Sequence, residues 1–318
     1  MEQRILMPYS IEKNLGLKEK KQYYNSLRNY CKYLSSLNES PNVMSIGQDL
    51  ISTFYMKKFY NQLLEIDGIN NLPNEPFILL CNHSTAHDIF SMYIALEKLG
   101  LPVSVMVATD CLNPLSRLVF RTAKSVLFNR NDKISSQNSV LEASAALFSY
   151  KNVAIFGEAT WNLHPTKVMH DIKKGGSMIG AITGCPVIPT ILEYVECPNM
   201  VEKENEIYQK IILRFGTAHY VSYEDDIVFQ TCEIQKEMEK MRKQIWIENN
   251  ICRDNFSYID SKLYLNHTYL KKFGVFGFTY HSDYEAKFLR SNNGGAIENE
   301  YCLDEYSNFI PGVTYQKR

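Results

Sequence analysis

Two hydrophobic periods alternate along this chain, and their alternation predicts its elements. Short apolar runs bounded by turn residues read as strands at residues 77–81, 103–108, 125–128, 153–156, 187–192 and 211–216. Between them apolar positions recur at helical spacing. Those helices cover 86–98 (closed by Gly100 and Pro102), 114–122, 135–149, 176–183 (closed by Gly184) and the charged stretch 232–249. Strands alternating with helices predict an α/β fold: a mixed, largely parallel sheet flanked by helices. Ahead of this pattern, residues 18–37 read as a helix and 38–42 as a loop. Residues 46–64 then place Ile46, Leu50, Ile51, Phe54, Tyr55, Phe59, Leu63 and Leu64 on one stripe, opposite Gln48, Asp49, Ser52, Lys57, Lys58 and Gln62. Such a helix either packs on the core or lies on lipid with Lys57 and Lys58 toward anionic headgroups. From about residue 256 the chain becomes rich in Tyr and Phe, with an NNGG turn at 292–295. The expected organisation is a helical N-terminal extension (1–45), a central domain (46–255) and an aromatic C-terminal extension (256–318).

Composition narrows the class. The 318 residues are 45% hydrophobic and 22% charged, the profile of a folded globular chain. A net charge of −1 supplies no field for nucleic acid, so no nucleic-acid partner is expected. Eight cysteines are scattered with no CxxC pair, which fits reduced thiols and a cytoplasmic location. No uncharged apolar run reaches the ~18–20 residues that span a bilayer. The expectation is a cytoplasmic protein, either free or peripheral at the inner face of the membrane.

The first candidate chemistry lies in residues 79–89, LLCNHSTAHDI. On an ideal helix His83 and Asp88, five apart, would diverge by about 140°. They meet if His83 stands in the strand-to-helix loop and Asp88 in the first helical turn, the arrangement this stretch predicts. The helix N-terminus then favours neutral imidazole and ionised carboxylate, as a general base requires. Ordinary helix-start electrostatics would place the same residue types here. His83 and His87 also have the i, i+4 spacing of a zinc helix, but Ser84 stands where HExxH has glutamate, and no further cluster completes a metal shell. No metal and no resident cofactor is expected.

Three later segments change the balance: Phe128-Asn129-Arg130 at a strand end, Phe156–Asn162 (FGEATWN), and Pro186–Pro189 after a small-residue helix. With Asn82, His83 and Asp88 as NHxxxxD, residues 46 to about 255 resemble the glycerolipid acyltransferase family, the PlsC-like lysophosphatidate and glycerol-3-phosphate acyltransferases, of HxxxxD type. The resemblance implies acyl transfer from a thioester, acyl-CoA or acyl-ACP as co-substrate, to an acceptor hydroxyl. The acceptor would be a lysophospholipid, glycerol phosphate or glycolipid, and acyl carrier protein and a membrane surface would be partners. It makes His83 the general base and Asp88 its orienting partner. It places Asn82, Arg130, Gly157, Glu158, Ala159, Thr160 and Lys174 at the substrates, with backbone N–H groups of the 157–160 turn holding acceptor oxygens or the developing oxyanion. Glu158 would bind acceptor or order its loop. The chain departs from the family motif FPEGTRS: Gly157 replaces proline, Ala159 replaces glycine and Trp161 replaces arginine. Indole for guanidinium removes a bidentate phosphate donor and favours an acceptor with a sugar or another uncharged hydroxyl. The competing expectations are a non-catalytic lipid- or carrier-binding protein of the same fold, and a metal-dependent hydrolase using His83 and His87.

Overall fold

The computed structural model describes residues 6–37, 63–84, 88–109, 112, 114–159, 162, 168–196 and 209–251. The expected helix up to residue 62, Lys57, Lys58, His87, Thr160, Trp161 and the aromatic extension lie outside the described residues.

Successive side chains of a strand point to opposite faces, and here both faces are covered. Ile78 and Leu80 go to one core, with Val153, Val187 and Ile191; Phe77, Leu79 and Cys81 go to the other, with Ala154, Ile188 and Leu192. This double burial is why the strands read as continuous apolar runs. The strands are β1 (Leu63–Asp67), β2 (Ile78–Cys81), β3 (Val103–Ala108), β4 (Val126–Phe128), β5 (Asn152–Phe156), β6 (Val187–Glu196) and β7 (Gln209–Phe215). They form a seven-stranded sheet in the order β1-β7-β6-β2-β5-β3-β4. Every neighbouring pair is parallel except β6 and β7. The expected mixed, largely parallel sheet is the observed one.

The helices are α1 (Tyr9–Glu12), α2 (Leu17–Leu37), α3 (Asp88–Lys98), α4 (Pro114–Thr122), α5 (Lys133–Phe148), α6 (Gly175–Thr183) and α7 (Ile227–Glu248). Side chains of α2, α5, α6 and α7 fill one core, and those of α3 and α4 the other. Caps set several boundaries: the Asp132 side chain accepts from Ile134 N at the start of α5, and Gly184 (φ 81°) ends α6.

Two expectations need correction. Leu63 and Leu64 do not continue a helical stripe; they open the edge strand β1, parallel to β7. The period there is two: Leu64 and Ile66 pack on the core while Glu65 is exposed and pairs with Lys210 of β7. The last helix begins at Ile227, not Cys232. The Asp226 carboxylate accepts from Val228 N and Phe229 N and carries the helix through a β-branched and aromatic first turn.

Candidate active site

The parallel strands β2 and β5 end side by side, Cys81 in register with Phe156. The loops leaving these two ends build the site. After β2 the chain runs Asn82-His83-Ser84, and Asp88 opens α3. His83 Nδ1 lies 2.8 Å from Asp88 Oδ2. The same oxygen accepts from Ser84 N at 2.6 Å, and Asp88 Oδ1 accepts from Tyr194 Oη at 2.9 Å. Three donors hold a carboxylate that is wholly buried, whereas the His83 side chain is 13% exposed. The imidazole stacks on the Phe156 ring, centroids 4.5 Å apart. The loop-then-helix geometry therefore exists, with the imidazole fixed by a carboxylate on one edge and an aromatic face beneath.

The backbone of His83 is held from both sides. Its N–H donates to Glu158 Oε1 at 2.7 Å, and its carbonyl accepts from Asn162 N at 2.6 Å. The other oxygen of Glu158 accepts from His170 N at 2.6 Å. Of the two roles expected for Glu158, the geometry displays the loop-ordering one. Burial pushes its carboxyl up to about 7, against the pull of Arg242 and of the two N–H donors. Asn82, also buried, ties the strand end to β6: Leu192 N donates to its Oδ1 at 2.7 Å, and its Nδ2 donates to Leu192 O at 3.0 Å.

The turn after β5 corrects one expectation. Gly157 N donates to Cys81 O at 2.8 Å and Ala159 N to Phe156 O at 3.1 Å, so these two N–H groups are engaged within the protein and not aimed at a substrate oxygen. A Cβ on Gly157 would stand 2.8 Å from Ile172 Cγ2 and 2.9 Å from Leu80 Cδ1, so the turn sits tightly on β2 and a side chain there would require these two neighbours to shift. Ala159 takes φ 59°, the left-handed region, which explains glycine as the residue of the resembled motif. Arg130 Nη1 donates to the Ala159 carbonyl at 2.5 Å and so supports that turn.

A cavity of about 660 Å³ opens beside this turn. Met106, Phe128, Val140, Ile155 and Phe156 supply apolar wall, and Arg130 and Lys173 supply cations. Phe156 thus has the cavity against it as well as the His83 ring. Lys174, the expected contact, is placed elsewhere: its Nζ stands 4.6 Å from the centre of the Tyr9 ring. Lys173 is the neighbour that reaches the cavity. Among the described residues no group of three or more His, Cys, Asp or Glu side chains is arranged to hold a metal ion.

With this geometry in place, comparison with known proteins is direct. Residues 63–193 match the family model described as Acyltransferase. Over that span the chain is similar to acyltransferase-family domains. That span runs from β1 to β6 and contains His83, Asp88, Arg130 and the Glu158 turn, so the acyltransferase match falls on the site just described. No curated protein sequence matches the chain. Among solved structures, the 1-acyl-sn-glycerophosphate (LPA) acyltransferase PlsC from Thermotoga maritima is similar at 14% identity and a TM-score of 0.48, covering 75% of this chain and 99% of that one.

Beneath the His83 loop lies a group that the motifs did not indicate. Arg242 of α7 donates from Nε to Glu193 Oε2 at 2.6 Å, from Nη2 to Ser84 Oγ at 3.0 Å, and from Nη1 to the Val168 carbonyl. Trp246 Nε1 donates to the same Glu193 oxygen at 3.1 Å. Tyr194, which holds Asp88, is the next residue of β6. The available signal was Glu193 itself, an acid inside an apolar strand, which requires a buried donor.

Proposed function

We propose that this acyltransferase moves an acyl group from a thioester, carried by coenzyme A or acyl carrier protein, to a hydroxyl of a lipid acceptor. The observation that carries the reading is the His83–Asp88 pair standing on Phe156, whose ring also walls the apolar cavity. Asp88 accepts from Nδ1 and so fixes the tautomer, which leaves the general-base role to Nε2. His83 takes the acceptor's hydroxyl proton as its oxygen attacks the thioester carbonyl. The C–O bond forms, the tetrahedral intermediate collapses, the C–S bond breaks, and the imidazolium returns the proton to the departing thiolate. General-base assistance of this kind contributes ~10²–10⁴-fold. The thioester is already activated, so no acyl-enzyme is required. The apolar wall suits an acyl chain, and Arg130 and Lys173 suit an anionic group of either substrate. Trp161 replaces the arginine of the resembled motif, which favours a lysophospholipid or glycolipid over glycerol phosphate.

Among the described residues no helix is long and apolar enough to cross a membrane. The reading includes peripheral attachment to an anionic membrane surface on the cytoplasmic side. Its support is α4, which exposes Leu115 and Leu118 beside the exposed Arg117 and Arg121, the pairing of apolar and cationic groups that an interfacial helix uses.

The test is thiol release from a panel of acyl thioesters with lipid acceptors, products identified by mass spectrometry. His83→Ala and Asp88→Asn should keep the fold and lose ~10²–10⁴-fold in turnover. Unchanged turnover in either variant removes the proposed base and its partner.

A further inference from the structure

The guanidinium of Arg242 reaches the catalytic loop from α7, 158 residues away in sequence from Ser84. We propose that Arg242 is a positioning residue for acyl transfer: its fork fixes the two loops that flank Glu158, and its charge stands against the carboxylate that grips the His83 amide. This rests on the function proposed above.

The fork joins three separate stretches of chain. One nitrogen holds Ser84, whose own N–H donates to Asp88 Oδ2. A second holds the carbonyl of Val168, two residues before the His170 amide that Glu158 accepts. The third is paired with Glu193 on β6, next to Tyr194, whose hydroxyl donates to Asp88 Oδ1. Every anchor of Arg242 is therefore itself a contact of Asp88 or Glu158, or lies within two residues of one. Its guanidinium carbon lies 5.4 Å from the centre of the Trp246 ring, one turn further along α7, which packs the fork in place.

The pair itself asks for a reason. Arg242 and Glu193 are 3% and 2% exposed, and a buried ion pair is no more stabilising than well-packed apolar residues of similar volume. Fastening α7 to β6 needs no charge. A charge here does act on Glu158. That carboxyl is opposed by burial and by Asp88 of α3, and it is favoured by Arg242 and by the amides of His83 and His170. Only the ionised form presents two equivalent acceptor oxygens to those two amides. Fork and charge thus serve the same end, a His83 backbone held in one place.

The two contributions separate by substitution in the full-length protein. Arg242→Lys keeps the charge and loses the fork. The double variant Arg242→Met with Glu193→Gln removes both charges together, so no carboxylate is left stranded and the fold is retained. Displacement of a catalytic group by about 1 Å costs up to 10²-fold, so thiol release in both variants should fall ten- to a hundredfold in kcat at similar KM for the thioester. The two differ in pH dependence. Glu158 is followed by NMR with ¹³C-labelled glutamate, its signal identified by loss in Glu158→Gln. It should titrate as in wild type in Arg242→Lys and at higher pH in the double variant. Wild-type kcat in a folded double variant, or an unmoved Glu158 titration, overturns the inference. The titration needs no turnover: if the wild-type protein itself transfers no acyl group, the proposed function fails, and the Glu158 signal alone decides whether Arg242 acts on the loop.

Discussion

Glu158→Gln is the perturbation with the most distinctive signature, because it should move stability and activity in opposite directions. The Glu158 carboxyl titrates at about 7 in the folded protein against an ordinary 4.5. The sign follows from proton counts. Between pH 4.5 and about 7 the native protein holds a proton that the unfolded chain releases, so this group's contribution to stability falls as pH rises through that window. Each pH unit of separation corresponds to about 1.4 kcal/mol, so from pH 5 to pH 8 the wild type should lose on the order of 2–3 kcal/mol through this residue. Glutamine does not titrate. At pH 5 it resembles the protonated acid, with one good acceptor oxygen for the two amides of His83 and His170. The stability difference between variant and wild type should therefore shift by on the order of 2–3 kcal/mol in favour of glutamine between pH 5 and pH 8. The assay is urea unfolding of both proteins at several pH values. The difference between the two proteins removes the contribution that their other ionisable groups share. Acyl transfer should meanwhile fall, since only the ionised acid grips both amides. A stability difference that stays constant from pH 5 to pH 8 refutes the reasoning.

Two further outcomes follow from local geometry. Ala159→Gly should raise the urea midpoint and leave turnover near wild type: relief of a left-handed alanine gains about 1–2 kcal/mol, and glycine's extra unfolded-state freedom returns about 0.5–1 of it. A lowered midpoint would mean that this turn is not strained. Replacing exposed Leu115 and Leu118 together by Asp should reduce sedimentation with anionic vesicles more than tenfold, at ~1.5 kcal/mol or more per leucine removed from the interface, with the fold unchanged. Wild-type binding should also weaken with added salt. Equal binding by variant and wild type would show that α4 is not the contact.

What the sequence disclosed, and what it concealed, divides along physical lines. The strands β2, β3 and β5 were legible because both faces are buried, which leaves an unbroken apolar run that polar turns punctuate. The edge strand β1 was misread because Leu63 and Leu64 also fit the stripe of the preceding helical pattern. Five residues with only one covered face hold too few alternations to establish a period of two. His83 and Asp88 were legible because a strand end, a short loop and a helix start fix their relation within seven residues. Lys174 was chosen over Lys173 because adjacent lysines differ only in the direction each side chain takes from the start of α6, and backbone geometry decides that.

The Arg242 network was concealed for a different reason. Its parts come from the loop after β2, β6, the loop before α6, and α7, and no local pattern joins them. Two clues were nonetheless present. Glu193 lies among buried Leu192 and Val195, so it demanded a donor. On α7 the buried positions run Ile234, Met238, Arg242, Ile245 and Trp246, an i, i+4, i+8 stripe on which one residue carries a full charge. A cation on an apolar stripe is tolerated only where an anion or carbonyl meets it inside. An acid in a buried strand and a base on a buried stripe thus each imply a missing partner, and they satisfy each other. The two anomalies lie 49 residues apart. That the pair adjoins Ser84 follows only from the parallel placement of β6 beside β2, which brings the acid of one strand under the His83 loop that leaves the other.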